Sequence, residues 1–238
     1  VHVQLKRAVA VKVFPAPFGG TPEARSAFAA EWDLLKQIHH PAIVRCYGGG
    51  FEETDAYLAH ELIEGPTLVS ELERRSRLSW ESVLDLAEAL SGALESLHEK
   101  EIVYGVLQPE KVLFAGLSPV LIDVRIDRVN SLYRTKRAVT PQEMTFWSPE
   151  LVENANAFSV HTDLYSLGAT LYTALTGRAV VSGNSVEEVR GNILCEKPQS
   201  PAAIVMDCPV WLDKLVMQIL EKDPNDRPHS AAAVTLAL

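Results

Sequence analysis

Glu64-Gly65-Pro66 divides this chain into two stretches of different texture. Before it, short β-type runs surround a single helical pattern. Ala8 to Phe14 is a β-branched, apolar run that stops at Pro15. Thr21-Pro22-Glu23 is a helix start, with Thr as N-cap, Pro at the first helical position and an acid in the first turn. Ala24, Phe28, Trp32 or Glu31, Leu35 and Ile38 then recur at helical spacing and form one face. Val44–Tyr47 and Ala56–Ile63 read as two strands around a glycine-rich turn at Gly48-Gly49-Gly50. After the break the chain turns helical. Ser79 caps a long helix whose core face is Val83, Leu86, Leu90, Leu94 and Leu97. Short β segments follow at Val112–Phe114 and Val120–Ile122, then a polar, partly basic stretch from Asp123 to Pro149. Helices are predicted over Thr162–Thr176, Ser185–Leu194 and Val210–Glu221, with a short closing helix after Pro228. Strands with one helix, then a mostly helical half, make an α+β chain in two lobes. The expected boundaries are 1–64 for a partial, mostly β N-terminal lobe and 65–238 for a larger helical lobe.

Composition narrows the function classes. The net charge of −9 opposes nucleic acid as the main partner, because phosphate backbones attract basic surfaces. No run of about 18 apolar residues occurs, so no membrane contact is expected of this stretch. Cys46, Cys195 and Cys208 are widely spaced and odd in number, which suits buried free thiols in a reducing, cytoplasmic setting. The start, Val1-His2-Val3-Gln4, lacks an initiator Met and a signal-peptide pattern and reads as part of a longer protein. Any membrane anchor would then lie outside the fragment.

The short strings between the elements carry a resemblance. Val9-Ala10-Val11-Lys12 resembles the lysine strand of protein kinases, and Glu31 on the next helix stands where that lysine's ion-pair partner would be. Pro41-Ala42-Ile43-Val44, after His39-His40, is similar to the family's entry into its fourth strand. Ser148-Pro149-Glu150 is similar to the A-P-E motif, and Asp163-Leu164-Tyr165-Ser166-Leu167-Gly168 to the start of the central C-lobe helix. Asp223 to Pro228 resembles the terminal arginine motif, and implies a buried Glu150–Arg227 ion pair. In this order, over nearly the whole chain, the strings are most similar to bacterial Ser/Thr kinases of eukaryotic type. The resemblance implies a bilobal protein-kinase-like fold.

It also shows what is missing. Phosphoryl transfer needs a carboxylate for the substrate hydroxyl, oxygen ligands for magnesium, and a loop over the phosphates. Where the family's catalytic loop should stand, this chain reads Tyr104-Gly105-Val106-Leu107-Gln108-Pro109-Glu110-Lys111. Val106 replaces the catalytic Asp, and an isopropyl group neither accepts a proton nor orients a hydroxyl. Loss of a general base costs about two to four powers of ten in rate. Gln108 replaces the phosphate-neutralising lysine, and Gly105 the arginine that grips a phosphorylated activation loop. Lys111 replaces the metal-binding Asn, and its ammonium would repel Mg²⁺, which demands oxygen ligands. The D-F-G position reads Asp123-Val124-Arg125, where Arg125 replaces a flexible glycine. Asp123 is read as a partner of a nearby lysine, Lys111 above all, rather than as a metal ligand. Glu143 falls where kinases keep a Thr that contacts the catalytic residues. The glycine-rich phosphate loop is not found among Val1 to Arg7.

The expected site is therefore catalytically empty, with degenerate positions Val106, Gln108 and Lys111 and no metal. A vestigial nucleotide pocket is implied at Lys12, Glu31, Asp123, Ala10, Leu113, Glu61 and Ile63, with His60 guarding its back. Leu35, Tyr104, Val124 and Phe51 or a neighbouring strand residue are expected to stack between the lobes. Arg125, Arg128, Arg134, Lys136 and Arg137 form a basic run, read as a solvated surface or a docking patch for an acidic partner. No cofactor is expected: magnesium is disfavoured, and ATP, if bound, would be held weakly. The favoured function is a pseudokinase acting as a signalling or scaffold module that binds a protein or another domain of its own polypeptide. The alternatives are a pseudokinase that senses ATP without Mg²⁺, and a divergent ATP-using transferase.

Overall fold

The computed structural model describes residues 8–14, 20–124 and 139–238. The N-terminal lobe is a three-stranded antiparallel sheet of β1 (Val9–Phe14), β2 (Cys46–Glu52) and β3 (Asp55–Glu61) in the order β1-β3-β2. It is backed by α1 (Pro22–Leu35). The Thr21 hydroxyl accepts the Ala24 N–H at 3.1 Å and satisfies a donor that the first helical turn leaves open. Phe28, buried on α1, sits edge-on to Phe14, Trp32 and Phe51 at 5.4, 5.9 and 5.8 Å between ring centroids.

Gly48-Gly49-Gly50 is not the turn that its composition suggests. The glycines lie within β2, and the reversal falls at 53–54, where Glu53 takes a positive φ of 54°. The reason is packing. A Cβ on Gly49 would stand 2.5 Å from the Trp32 ring and 2.7 Å from the Tyr57 carbonyl oxygen. The strand is bare so that the helix can lie against it.

The C-terminal lobe begins with α2 (Leu68–Arg75), capped by the Thr67 hydroxyl, which sequence reading passed over. Then come α3 (Trp80–His98), the hairpin of β4 (Val112–Ala115) and β5 (Ser118–Leu121), and the short helices α4 (Pro141–Met144) and α5 (Pro149–Glu153). The long central α6 (Val160–Thr176) is followed by α7 (Val186–Cys195), α8 (Val210–Ile219) and α9 (Ala231–Ala237). On α3 the predicted face of Val83, Leu86, Leu90, Leu94 and Leu97 is buried, worth about 2 kcal/mol per side chain in area removed from water. Helix α6 is buried nearly all round and forms the axis of the lobe. A Cβ on Gly168 would come within 2.6 Å of Ile219, so glycine sets how closely α6 and α8 approach.

Arg227 locks this lobe. Its guanidinium donates to both carboxylate oxygens of Glu150 at 2.7 and 2.9 Å, and also to the carbonyls of His161, Glu221 and Lys222. The planar fork is matched by an acceptor at each edge.

The lobes are laced together by the strand that leaves β5. Leu121 donates to the Ala42 carbonyl at 2.9 Å and accepts from the Val44 N–H at 2.8 Å, both in the N-terminal lobe. The next residue, Ile122, donates to the Lys111 carbonyl at 3.0 Å and accepts from the Tyr104 hydroxyl at 2.6 Å, both in the C-terminal lobe.

Candidate functional site

The stretch after α3 hangs from α6 by one carboxylate. Asp163 is fully buried, and its Oδ2 accepts from the Tyr104 N–H and from His98 Nε2, each at 2.8 Å. Its Oδ1 accepts from the Gly105 N–H at 2.9 Å. Burial pushes the Asp163 carboxyl up, while His98 and the two amides pull it down. One turn further along α6, Ser166 Oγ accepts the Leu107 N–H at 3.1 Å, and another turn on Thr170 Oγ1 donates to the Leu107 carbonyl at 3.3 Å. Side chains three and four residues apart lie on one helix face, so α6 holds the loop as a ladder. Asp163 was legible in the sequence only as a helix start. An Asp, Ser and Thr in one stripe of a helix that is buried nearly all round was the signal for this cradle.

The cradle fixes a loop that has no acid at position 106. Val106, which the resemblance sets where the family keeps its catalytic Asp, is buried and aliphatic. Gly105 adopts φ of +120°, a conformation that side-chain-bearing residues avoid, so an arginine at this place would strain the loop as it is built. Gln108 precedes a 3-10 turn, Pro109–Lys111, whose lysine is 6% exposed. The Lys111 ammonium donates to the Val106 carbonyl at 2.7 Å and lies 5.9 Å from the Tyr104 ring centroid. A buried ammonium needs such partners. Lys111 thus turns toward the loop backbone.

Asp123 follows β5 in a left-handed conformation, φ +59°, which Asp tolerates better than most residues. Its carboxylate forms an ion pair with the Lys12 ammonium of β1, across the cleft. The partner of Asp123 is therefore Lys12, not Lys111. Glu31 lies on α1 with one carboxylate oxygen buried; no Lys12–Glu31 ion pair occurs among the described residues. The interlobe stack also departs from expectation at one place. Leu35, Tyr104 and Val124 are buried, but Phe51 packs against Phe28 and Trp32 at the other end of the sheet. Cys46 stands at the cleft end of β2 instead, where it joins Leu35, Ile38, His60, Asp123 and Val124 around a void of about 10 Å³, room for roughly one water. His60 is held below its ordinary value by burial, countered by the Asp123 charge and reinforced by that of Lys12.

Of the remaining predicted pocket residues, Ala10 is exposed and pairs in register with His60, while Leu113 is half-buried on β4. Glu61 and Ile63 line a groove of about 310 Å³ with His39, His40 and Arg45. The structure thus brings Lys12 to Asp123 and Lys111 to Val106. Among the described residues no cluster of His, Cys, Asp and Glu could hold a metal ion, and no helix is long and apolar enough to cross a membrane. Glu143 is drawn into a capping box on α4. Its carboxylate accepts from the Thr140 N–H at 3.0 Å, and the Thr140 hydroxyl accepts its N–H at 3.2 Å. Arg125 and the basic run from Arg128 to Arg137 lie outside the described residues, as do Val1 to Arg7.

Proteins similar to this chain in sequence and in fold are named as kinases. Residues 1–236 match the family model described as protein kinase domain. The serine/threonine-protein kinase PknL of Mycobacterium bovis is 29% identical over 236 residues, covering 98% of this chain and 59% of that protein. PknB of Mycobacterium tuberculosis is 28% identical, covering 97% and 38%. The chain thus spans less than two thirds of the length of each of these relatives. Among solved structures, the Mycobacterium tuberculosis PknI kinase domain superposes with a TM-score of 0.75 at 21% identity, covering 100% of this chain and 86% of that one. Rad53, solved with AMP-PNP, gives 0.80 at 19% identity, covering 96% and 57%. At such identities the solved structures speak for the fold, and the match along almost the entire sequence speaks for descent. The chain belongs to the protein kinase domain family.

Proposed function

We propose that this domain is a catalytically inactive member of its family, a pseudokinase that works by binding a protein or another domain of its own polypeptide. One observation carries the reading: the loop that α6 holds in place offers an aliphatic side chain, Val106, with a lysine, Lys111, bonded to its backbone carbonyl. Position 106 thus has no group to receive the proton of a substrate hydroxyl, and Lys111 puts a positive charge where a metal would need oxygen. The scaffold beneath, from Asp163 to Arg227, is complete, which is what a binding role requires.

The capping box at Glu143 supports the same reading, since the segment that would align a peptide is folded into a helical turn that uses its own acid. The acidic net charge favours a protein partner over nucleic acid, and the free cysteines suit a cytoplasmic site. The test is transfer of labelled terminal phosphate from ATP, to itself and to a generic protein substrate, with magnesium and with manganese. No transfer above that of a heat-treated control is expected. Sustained turnover that Val106→Ala leaves unchanged would show chemistry routed elsewhere and end the proposal. The retained Lys12 favours a second reading, metal-free nucleotide binding, and thermal shift with ATP in EDTA against ATP with magnesium addresses it.

A further inference from the structure

We infer that Asp123 acts as an internal anion that occupies Lys12 and holds the cleft closed without nucleotide, so that a polyphosphate binds only by competing with this carboxylate. The inference rests on the inactive reading of the cleft, because a bound metal would instead join Asp123 to the phosphates. Lys12 is the cation that β1 presents to the cleft, and its ion pair goes to Asp123 from the other lobe. The carboxylate is positioned from both sides. Leu121 is bonded to Ala42 and Val44 above, Ile122 to Lys111 and Tyr104 below, and Asp123 follows directly in a left-handed turn. The Asp123 side chain is 22% exposed and that of Lys12 37%, so the pair sits at the wall of the cleft and not in free solvent.

Lys111, the partner for Asp123 expected from the sequence, donates instead to the Val106 carbonyl. A polyanion approaching Lys12 therefore meets a fixed negative charge at contact range, and like charges so placed repel strongly where water is partly excluded. An ammonium is a compact point charge, and the strength it lends to one carboxylate is withdrawn from a phosphate. The sign of the consequence is opposite to that for a site in which Asp123 binds a metal. There, neutralising the carboxylate weakens nucleotide binding; here it strengthens it.

The experiment uses the 238-residue chain in EDTA, with ATP and inorganic tripolyphosphate as separate probes followed by calorimetry. Asp123→Asn preserves the shape of the side chain and removes its charge; Asp123→Ser is the second variant, and a cooperative melt checks that each is folded. Both are expected to bind ATP and tripolyphosphate about tenfold or more tighter than the unaltered chain, and Lys12→Met added to either should abolish the gain. Equal or weaker affinity in both folded variants overturns the inference, as does a gain that survives loss of Lys12. The outcome is separate from the transfer assay: phosphoryl transfer by the unaltered chain would refute inactivity, whereas unchanged affinities would refute the competition and leave inactivity standing.

Discussion

Replacing Asp163 by Ala should remove the peg on which the whole loop hangs. Three donors lose their acceptor together: His98 Nε2, the Tyr104 N–H and the Gly105 N–H, all within 2.9 Å of the carboxylate. Each buried donor left unsatisfied costs about 1–3 kcal/mol, and the total is moderated because one water can enter the space the carboxylate leaves. A loss of about 4 kcal/mol is expected, a large part of the 5–15 kcal/mol that holds a typical domain folded. For a chain of this size that corresponds to a fall of about 8–16 °C in melting temperature. Chemical denaturation followed by tryptophan fluorescence reads the change in midpoint and slope. Asp163→Asn should fall between the two, since its one carbonyl oxygen still serves one side of the site while its amide faces donors. His98→Ala combined with Asp163→Ala should cost less than the sum of the single changes, because the two side chains share one bond. A loss below about 1.5 kcal/mol for Asp163→Ala would refute the reasoning, for it would mean that the loop holds its shape by packing alone.

The positive φ of Gly105 makes Gly105→Ala destabilising by about 1–3 kcal/mol, although alanine is the smallest side chain available; a neutral change in the urea midpoint would show that the loop relaxes freely. Burial holds His40 and His60 below their ordinary value of 6.5. The unfolded chain then binds more protons than the folded one just below that value, so stability rises with pH through this window and falls as the solution is acidified. Denaturation midpoints taken at about pH 7 and about pH 5.5 should show the lower stability at the acid end, with a smaller difference in His60→Gln; an unchanged or reversed difference would contradict the burial argument.

Local signals were legible in the sequence wherever one stretch of chain supplies its own physical cause. The face of α3 and the caps at Thr21 and Ser79 depend on spacing and on side chains a few residues apart, and they lie where the periodicity places them. So does the order of the strands and the longer helices, while the reading of Val106 in place of an acid rests on the resemblance. Helix α2 escaped because its cap, Thr67, stands directly after the Gly65-Pro66 break that masks it, and its eight residues carry a single buried apolar side chain, Leu68. The glycines of β2 were misread because their cause, the rings of Trp32 and Tyr57, comes from other elements.

What only the tertiary structure decided is the pairing of charges. The resemblance implies that Lys12, Glu31, Lys111 and Asp123 converge on one region, but an ion pair is chosen by ångströms, and those are set by how far apart two lobes come to rest. The lacing of Leu121 and Ile122 gives Asp123 to Lys12, and the tight turn at Pro109–Lys111 sends the second lysine to the Val106 carbonyl. Composition determines which charges are present; the distance between backbones determines which of them meet.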